Sequence, residues 1–180
     1  MKSVSHLIET RLGLRVSKTK SRICRPYALN FLGHDIGSQG QLHLSNESEA
    51  RLRKVIRQLT RRNRGVSLSQ IIAELNTKVR GWLYYFRYAK MKKRLRNVVS
   101  WLQRKLRCYR LKQAKRPIGI MRFLHRAGVP KQGAWTTAVS RKGWWRKVST
   151  PAANEAMSNK WFTQQGLIDF NKLYTDLHPT

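Results

Sequence analysis

The sequence predicts a mainly α-helical protein, in which a basic helical body follows a small α/β piece. Three observations support this fold class. After residue 45, apolar residues recur at spacings of three and four, as in amphipathic helices. Serine, proline and glycine residues divide that pattern into segments of helical length. Strand-like apolar runs are confined to the first 44 residues, so any sheet should be small.

The first 44 residues are predicted to form one helix and a β-hairpin. The helix covers residues 3–13 and ends at Gly13. Ile23 and then residues 29–36 are predicted strand material, and residues 41–44 can return as a second strand. A sheet of this size is not stable alone. We therefore expect this piece to be the end of a larger domain or to pair with another chain.

The rest of the chain predicts six helices, most of them opened by a serine or proline that suits a helix start. A turn rich in Gly and Trp is expected at residues 141–150, and a C-terminal tail is expected after the last helix. The predicted helices cover residues 46–63, 67–89, 91–112, 117–128, 130–140 and 151–157.

The charge is strongly positive and unevenly distributed. The 180 residues include 38 Lys and Arg against 8 Asp and Glu, for a net charge of +30. Residues 51–116 hold 22 of these cations and a single acid, Glu74. So many cations close together repel one another. This excess of positive charge argues against an enzyme of small neutral metabolites and predicts a polyanionic partner. Nucleic acid is favoured over an anionic membrane, because the apolar residues are spaced as a core and not as a lipid-facing stripe.

No catalytic, metal or cofactor site is predicted. The eight acids include no Asp-Asp pair and no Asp-x-Asp, although two-metal chemistry needs converging carboxylates. Glu47 and Glu49 are two residues apart and point apart on a helix, so they suit its N-terminal dipole better than a metal. No histidine pair has metal-ligand spacing, and no phosphate-binding glycine loop or nucleophile motif is present.

The predicted location is the cytoplasm, in association with a nucleoid or a ribonucleoprotein. Cys24 and Cys108 are far apart and form no CxxC motif, which favours a reducing compartment. The sequence has no apolar run of membrane-spanning length and no secretory signal at its start.

Two stretches resemble a known family. Residues 12–21 (LGLRVSKTKS), followed by Phe31-Leu32-Gly33-His34, resemble the last palm motifs of reverse transcriptases, with Lys20 and Ser21 at the family's Lys-Thr/Ser pair. Residues 75–86 (LNTKVRGWLYYF) resemble the opening helix of the group II intron maturase-specific domain. Later stretches are similar to landmarks of that domain, namely residues 107–109, 115–117, 128–130, 134–135, 140–146 and 159–167.

The resemblance implies the C-terminal part of a group II intron reverse transcriptase/maturase. Residues 1–44 would be the end of the palm, 45–90 the thumb, and 91–180 the maturase-specific (X) helical region with its C-terminal tail. In the family these last two parts bind intron RNA and help it reach its splicing-competent fold. The thumb also holds an RNA/DNA duplex.

The family's catalytic Tyr-x-Asp-Asp motif would lie upstream of the first helix and is absent from this sequence. The expected function is therefore that of a truncated, RNA-binding maturase-like protein that assists the folding and splicing of a structured RNA. One alternative is the C-terminal half of a split RNA-directed DNA polymerase, completed by an upstream reverse-transcriptase fragment. Another is a decayed remnant of a mobile element. No membrane partner is expected.

The predicted RNA contacts are chosen by charge, and the competing interpretation is an exposed solubilising face. Arginine can fork onto phosphates or stack on bases. Lys78, Arg80 and Arg87 flank an aromatic run. The main cluster is Lys90, Lys92, Lys93, Arg94, Arg96, Arg104, Lys105, Arg107, Arg110, Lys112, Lys115 and Arg116.

Two aromatic groups accompany these cations. In the aromatic run, Trp82 and Phe86 are expected in the core, and the tyrosines are better placed for polar contacts. The segment 141–146 combines Arg141 and Lys142 with Trp144 and Trp145. It suits base stacking with phosphate contact, or a structural lid with both tryptophans folded under the basic helices.

Overall fold

The computed structural model describes residues 2–17, 19, 21, 24–25 and 29–178. Lys20 of the palm-like motif and the predicted strand residue Ile23 lie outside the described residues. The described part is mainly helical, as predicted, with one small antiparallel sheet. Its helices are α1 (Lys2–Arg11), α2 (Asn46–Leu59), α3 (Leu68–Tyr85), α4 (Lys92–Gln113), α5 (Pro117–Arg126), α6 (Lys131–Val139), α7 (Trp144–Lys147), α8 (Pro151–Ala156), α9 (Asn159–Gln164) and α10 (Phe170–Leu177).

The sheet has three strands in the order β1 (Asn30–Phe31), β2 (His34–Ile36) and β3 (Leu42–Leu44), all antiparallel. The prediction of one strand over 29–36 is wrong, because the chain reverses at Leu32 and Gly33, which both have positive φ angles. The carbonyl of Gly33 accepts a hydrogen bond of 3.0 Å from Ser48 Oγ, which ties this turn to α2. The predicted return strand is confirmed.

Local capping explains where the helices begin. Ser45 Oγ accepts a hydrogen bond from the backbone N–H of Ser48 at the start of α2, and Ser67 caps α3 in the same way. Glu47 and Glu49 lie in the first turn of α2, as predicted. Helix α2 ends at Leu59, four residues earlier than expected. There the Thr60 hydroxyl donates to the carbonyl of Ile56.

One apolar core joins α2 to α10. It extends from Leu44 through Ile71 and Leu106 to Phe162 and Phe170, all of which are almost completely buried. Residues 159–177 thus form two packed helices, α9 and α10, where a tail was expected. The expected turn at 141–150 contains the short helix α7.

Helix α10 is held against the connection between α3 and α4. The Tyr174 hydroxyl donates to the carbonyl of Ala89 at 2.8 Å and accepts from the backbone N–H of Met91. In the same region Phe86 is buried and its ring lies 4.7 Å from that of the half-buried Trp82, which confirms their predicted core position. In the described part of the chain, no helix has both the length and the apolar character needed to cross a membrane.

Candidate nucleic-acid interface

A cationic cleft of about 640 Å³ lies between the end of α2, the second half of α4 and α7. We call it the α2–α4 cleft. No acidic residue is among its lining residues. Its polar floor includes Thr60 and Cys108, and Trp144 and Trp145 form one wall. Its cations are Arg57, Arg61, Arg62, Lys105 and Lys112.

The charges of this cleft repel one another. Burial lowers the pKa of Lys105; a negative charge on Cys108 would raise it, and the positive charges of Arg57 and Arg62 lower it. Burial also raises the pKa of the Cys108 thiol, so this group brings no compensating negative charge near pH 7. A bound anion would remove the repulsion and stabilise the charged form of Lys105.

An aromatic ring supports the cations on the α4 side. The charged ends of Arg53, Arg57 and Lys105 lie 5.1 to 5.6 Å from the centre of the Trp101 ring. Cation–π contacts of this kind hold long side chains in place without neutralising their charge. Arg53 is also paired with Glu49, whereas the ring orders Arg57 and Lys105 and leaves their charges free to attract an anion.

A second cleft, of about 1140 Å³, lies on the other side of α7 and is called the α6–α7 cleft. Its lining also contains no acid. Lys147 is buried there, its Nζ donates to the carbonyl of Ala138 at 3.0 Å, and burial lowers its pKa. The remaining cations are Arg104, Arg141, Lys142 and Arg146.

The two tryptophans of α7 have different positions. Trp144 is half-buried and packs against the core, and its carbonyl accepts from the Cys108 thiol. The Trp145 side chain is 43% exposed and lines both clefts. The lid interpretation therefore fits Trp144 alone, and the stacking interpretation is open only to Trp145.

Seven of the nineteen residues predicted to contact RNA line these two clefts. Lys105, Lys112 and Trp144 line the α2–α4 cleft, and Arg104, Arg141 and Lys142 line the α6–α7 cleft. Trp145 belongs to both. Residues from two distant parts of the sequence, on α4 and around α7, are thus brought together.

Arg94, one of the residues predicted to contact RNA, is bonded within the protein. Its guanidinium forms an ion pair with Glu49 (Nε to Oε2, 2.7 Å) and donates to the carbonyl of Leu44 and to Asn46 Oδ1. These bonds join the start of α4 to β3 and α2. Its hydrogen-bonding capacity is therefore largely used within the protein.

Arg107 and Arg110 also contact the protein itself. Arg107 Nε donates to the carbonyl of Met157 at 3.0 Å, and its guanidinium lies over the Phe162 ring. The guanidinium of Arg110 lies 4.0 Å from the centre of the Phe123 ring. Burial lowers the pKa of both arginines. Arg110 thus joins α4 to α5, and Arg107 joins α4 to the end of α8 and to α9.

The other predicted contacts are exposed, and three of them, Lys90, Lys92 and Lys93, line a smaller pocket of about 440 Å³ beside Arg94. They lie on α3, on the connection to α4, in the first turns of α4 and between α4 and α5, outside the two clefts. Arg87 rests on the neighbouring Tyr88 ring. These residues are Lys78, Arg80, Arg87, Lys90, Lys92, Lys93, Arg96, Lys115 and Arg116.

Five cations of the two clefts were not among the predicted contacts: Arg57, Arg61, Arg62, Arg146 and Lys147. Arg61 and Arg62 have a signal in the sequence, because they form an Arg-Arg pair just beyond the last periodic residue of α2, Leu59. Cations after the end of a helix suit its dipole, so this pair has an ordinary structural explanation. Only the packing of α2 beside α4 shows that they share a cleft with Lys105.

The acids of the basic region are engaged by arginines. Glu49 pairs with Arg53 and Arg94, and Glu74 forms two bonds with Arg64, at 2.8 and 3.1 Å. The hydrogen bond from Arg64 lowers the pKa of Glu74 below its ordinary value. Across the described ranges, no group of three or more His, Cys, Asp or Glu side chains is placed to hold a metal ion.

Residues 50–128 match the family model described as "Group II intron, maturase-specific domain". This segment is similar to a maturase-specific domain. The match confirms the predicted resemblance to the C-terminal region of a group II intron reverse transcriptase/maturase and indicates a maturase-related role. No curated protein matches the chain.

The matched segment begins within α2 and ends just after α5. It supplies every cation of the α2–α4 cleft and Arg104 of the α6–α7 cleft. Helix α7, with Trp144 and Trp145, follows the matched segment in the chain and packs against α4. The interface therefore combines the matched segment with the residues after it.

Proposed function

We propose that this maturase-related protein binds structured RNA of the group II intron type and assists its folding and splicing. The observation that carries the proposal is the pair of adjoining clefts, which present nine cations outside the buried Lys147 and whose linings contain no acid. The protein would position the RNA, and the phosphoryl transfers of splicing would be carried out by the RNA itself.

The electrostatics of the clefts support a phosphate-rich ligand. Cations that repel one another within a concave surface gain most from a ligand with closely spaced negative charges. Phosphates that bind there release their condensed counterions, which adds a salt-dependent driving force. The concave shape suits a folded RNA better than a flat membrane surface.

A filter-binding series against salt tests the proposal with the full chain and a group II intron RNA. If six or more phosphates are neutralised, we expect the logarithm of the association constant to fall with the logarithm of the salt concentration with a slope of about −4 or steeper. The double variant Arg61→Ala/Arg62→Ala should weaken binding and reduce this slope by about 1 to 2.

The matched control removes the same charge from another surface. Lys160 and Lys172 are exposed on α9 and α10, outside both clefts. The variant Lys160→Ala/Lys172→Ala should leave the slope nearly unchanged. A flat salt response of the unmodified protein, or equal losses in the two double variants, would contradict the proposed interface.

We also propose the segment roles that the resemblance implies. Residues 1–44 would correspond to the end of a palm, 45–90 to a thumb and 91–180 to the X region, with an RNA/DNA duplex as a further ligand of the thumb. The small sheet before α2 and the two long helices α2 and α3 are compatible with this assignment. A cytoplasmic ribonucleoprotein is the proposed setting.

One observation favours the alternative of a split RNA-directed DNA polymerase. Val4, Leu7 and Leu12 on or beside α1 are more than half exposed, as are Phe31 and Leu32 at the β-turn. Apolar surface of this kind fits against another polypeptide. Co-expression with a reverse-transcriptase palm fragment tests it: a stable complex that extends a primer supports the alternative, and failure to co-purify removes it.

A further inference from the structure

Helix α7 forms a ridge with a cationic cleft on each side. Trp145 lies on this ridge and lines both clefts, with 43% of its side chain exposed. A large exposed indole between two acid-free clefts is not explained by phosphate binding alone. Its position calls for a ligand that has both phosphates and an apolar, planar group.

The Trp145 residue is held in place from one side. The Arg104 guanidinium lies 4.0 Å from the centre of the indole ring, and Arg104 Nη2 donates to the Trp145 carbonyl at 2.9 Å. Ser149 Oγ donates to the same carbonyl at 2.9 Å. Because Arg104 lies over one face of the ring, a ligand that stacks on the indole would use the other face. Little ordering is then needed when a ligand stacks there.

The charge of Arg104 stays available. Arg104 Nε is buried without a hydrogen-bond partner, and no acid is among the residues that line its cleft. The side chain is held by a ring and a carbonyl, neither of which neutralises it. The stacking platform therefore carries a positive charge that favours an anionic ligand.

The neighbouring Trp144 anchors this platform. It packs against the core and is only partly exposed, and its carbonyl accepts from the buried Cys108 thiol on α4. The two adjacent tryptophans thus fix the ridge and present one ring outward. Such a platform is typical of surfaces that bind single-stranded nucleic acid, because every base has a face that can stack.

We infer that α7 binds an unpaired nucleotide of the RNA, with its base stacked on Trp145 and its flanking phosphates in the α2–α4 and α6–α7 clefts. This inference rests on the proposed function and makes it more specific. In duplex RNA the bases are stacked on one another and their faces are hidden. A bulge, loop or single-stranded junction is therefore the kind of RNA element that this ridge selects.

The experiment compares two RNAs at one salt concentration, with the full chain. One is a hairpin with a single bulged 2-aminopurine, a fluorescent base, and the other is the same hairpin fully paired. We expect the bulged RNA to bind about ten-fold more tightly. Stacking on Trp145 should quench the 2-aminopurine fluorescence.

Variants test whether the preference for the bulged RNA and the quenching depend on the Trp145 ring. Trp145→Ala should abolish both the preference for the bulge and the quenching while the salt slope stays the same, and Trp145→Phe should retain part of the preference. Trp135→Ala is the matched control, because Trp135 is 48% exposed on α6 but lines neither cleft. It should behave as the unmodified protein does.

The outcomes separate this inference from the proposed function. If the unmodified protein binds both RNAs equally, with a steep salt slope and no quenching, RNA binding stands and the inference is wrong. If it binds neither RNA, the proposed function fails. Retained quenching in a folded Trp145→Ala would also overturn the inference. Should that variant not fold, the quenching of the unmodified protein and its reduction in Trp145→Phe decide the question.

Discussion

The arginines of α4 have unequal surroundings, and these decide which of them are available to phosphate. Arg104 stacks on Trp145 and lines a cleft, whereas Arg94 is bonded to Glu49 and to the backbone of Leu44. A guanidinium that already donates to a carboxylate and a carbonyl has few donors left. We therefore regard Arg94 as a residue that joins three elements.

Replacing Arg94 by Ala should lower the free energy of unfolding by about 1 to 3 kcal/mol, because the polar groups of Glu49 and Leu44 lose their partner in a partly buried place. Chemical denaturation followed by circular dichroism measures this change. The exposed Lys92→Ala, two residues away, should alter stability by no more than about 0.5 kcal/mol.

The effect of Arg94→Ala on the free energy of unfolding should also depend on pH. Burial raises the pKa of Glu49, but the hydrogen bonds from Arg53 and Arg94 outweigh it and lower the pKa below its ordinary value. The stabilisation from this pairing is therefore present above the unfolded-state pKa and is lost as the pH falls through the folded-state pKa. An Arg94→Ala deficit that does not shrink in acid would contradict the ion pair as its cause.

Among the helices, α4 has an N-terminus that lacks a side-chain cap and carries positive charge. Met91 at its N-cap makes no side-chain hydrogen bond, and its first turn contains Lys92 and Lys93 but no acid. Cations at this end oppose the helix dipole. By contrast, Asp169 caps α10 with bonds to two backbone N–H groups. Cations that lower the stability of a helix N-terminus are expected where they bind an anionic ligand.

The variant Lys93→Glu should raise the stability of the free protein by about 0.3 to 1 kcal/mol and at the same time weaken RNA binding. The first effect follows from the dipole, and the second follows from placing an acid on a cationic surface. Thermal unfolding and filter binding measure the two effects on the same preparation.

Lys172→Glu is the control for this trade-off. Lys172 also lies in the first turn of its helix, α10, but a Glu there would be near Asp169 and Asp176, so this control is compared for RNA affinity only. Lys93 lines a pocket together with Lys90, Lys92 and Arg94. Lys172 does not line that pocket, so its replacement should lower RNA affinity much less than Lys93→Glu does. Equal losses of affinity in both variants would show that only net charge matters.

The whole molecule carries a charge of +30 on a continuous core that extends from Leu44 to Tyr174. Apolar burial must therefore outweigh repulsion that the acids neutralise in only a few places. Mobile anions and bound phosphates reduce this repulsion. The stability of the protein should depend on ionic strength in the opposite sense to its affinity for RNA.

Raising NaCl from about 20 to about 300 mM should increase the midpoint of thermal unfolding, because screening shortens the range of the repulsion. RNA at low salt should raise the midpoint further, since a ligand that binds only the folded state stabilises it. Differential scanning fluorimetry measures both effects.

A non-ionic solute that leaves screening unchanged serves as the control for the salt series. A midpoint that falls with NaCl would mean that favourable ion pairs outweigh the repulsion. That outcome would contradict the claim that repulsion between cations lowers the stability of the free protein.

Periodicity predicted the helical body well, because Leu, Ile and Val at three- and four-residue spacings must face a common core. The same spacing is present in α10, at Phe170, Leu173, Tyr174 and Leu177, so the sequence indicated a helix where only a tail was expected. Periodicity missed the reversal at Leu32, since a positive φ angle in a non-glycine residue has no clear sequence signal. That turn is held by a contact with a distant residue, the bond from Ser48 to the Gly33 carbonyl.

The sequence alone determined the class of fold, the helix starts at Ser45, Ser67 and Pro117, the resemblance to a maturase and the excess of cations that favours a polyanion. These features follow from local spacing and from composition. Only the tertiary structure decided that Arg61 shares a cleft with Lys105, that Arg94 is bonded internally and that Trp145 is more exposed than the half-buried Trp144. A side chain's neighbours depend on how helices far apart in the sequence pack, and charge or spacing along the chain carries no such information.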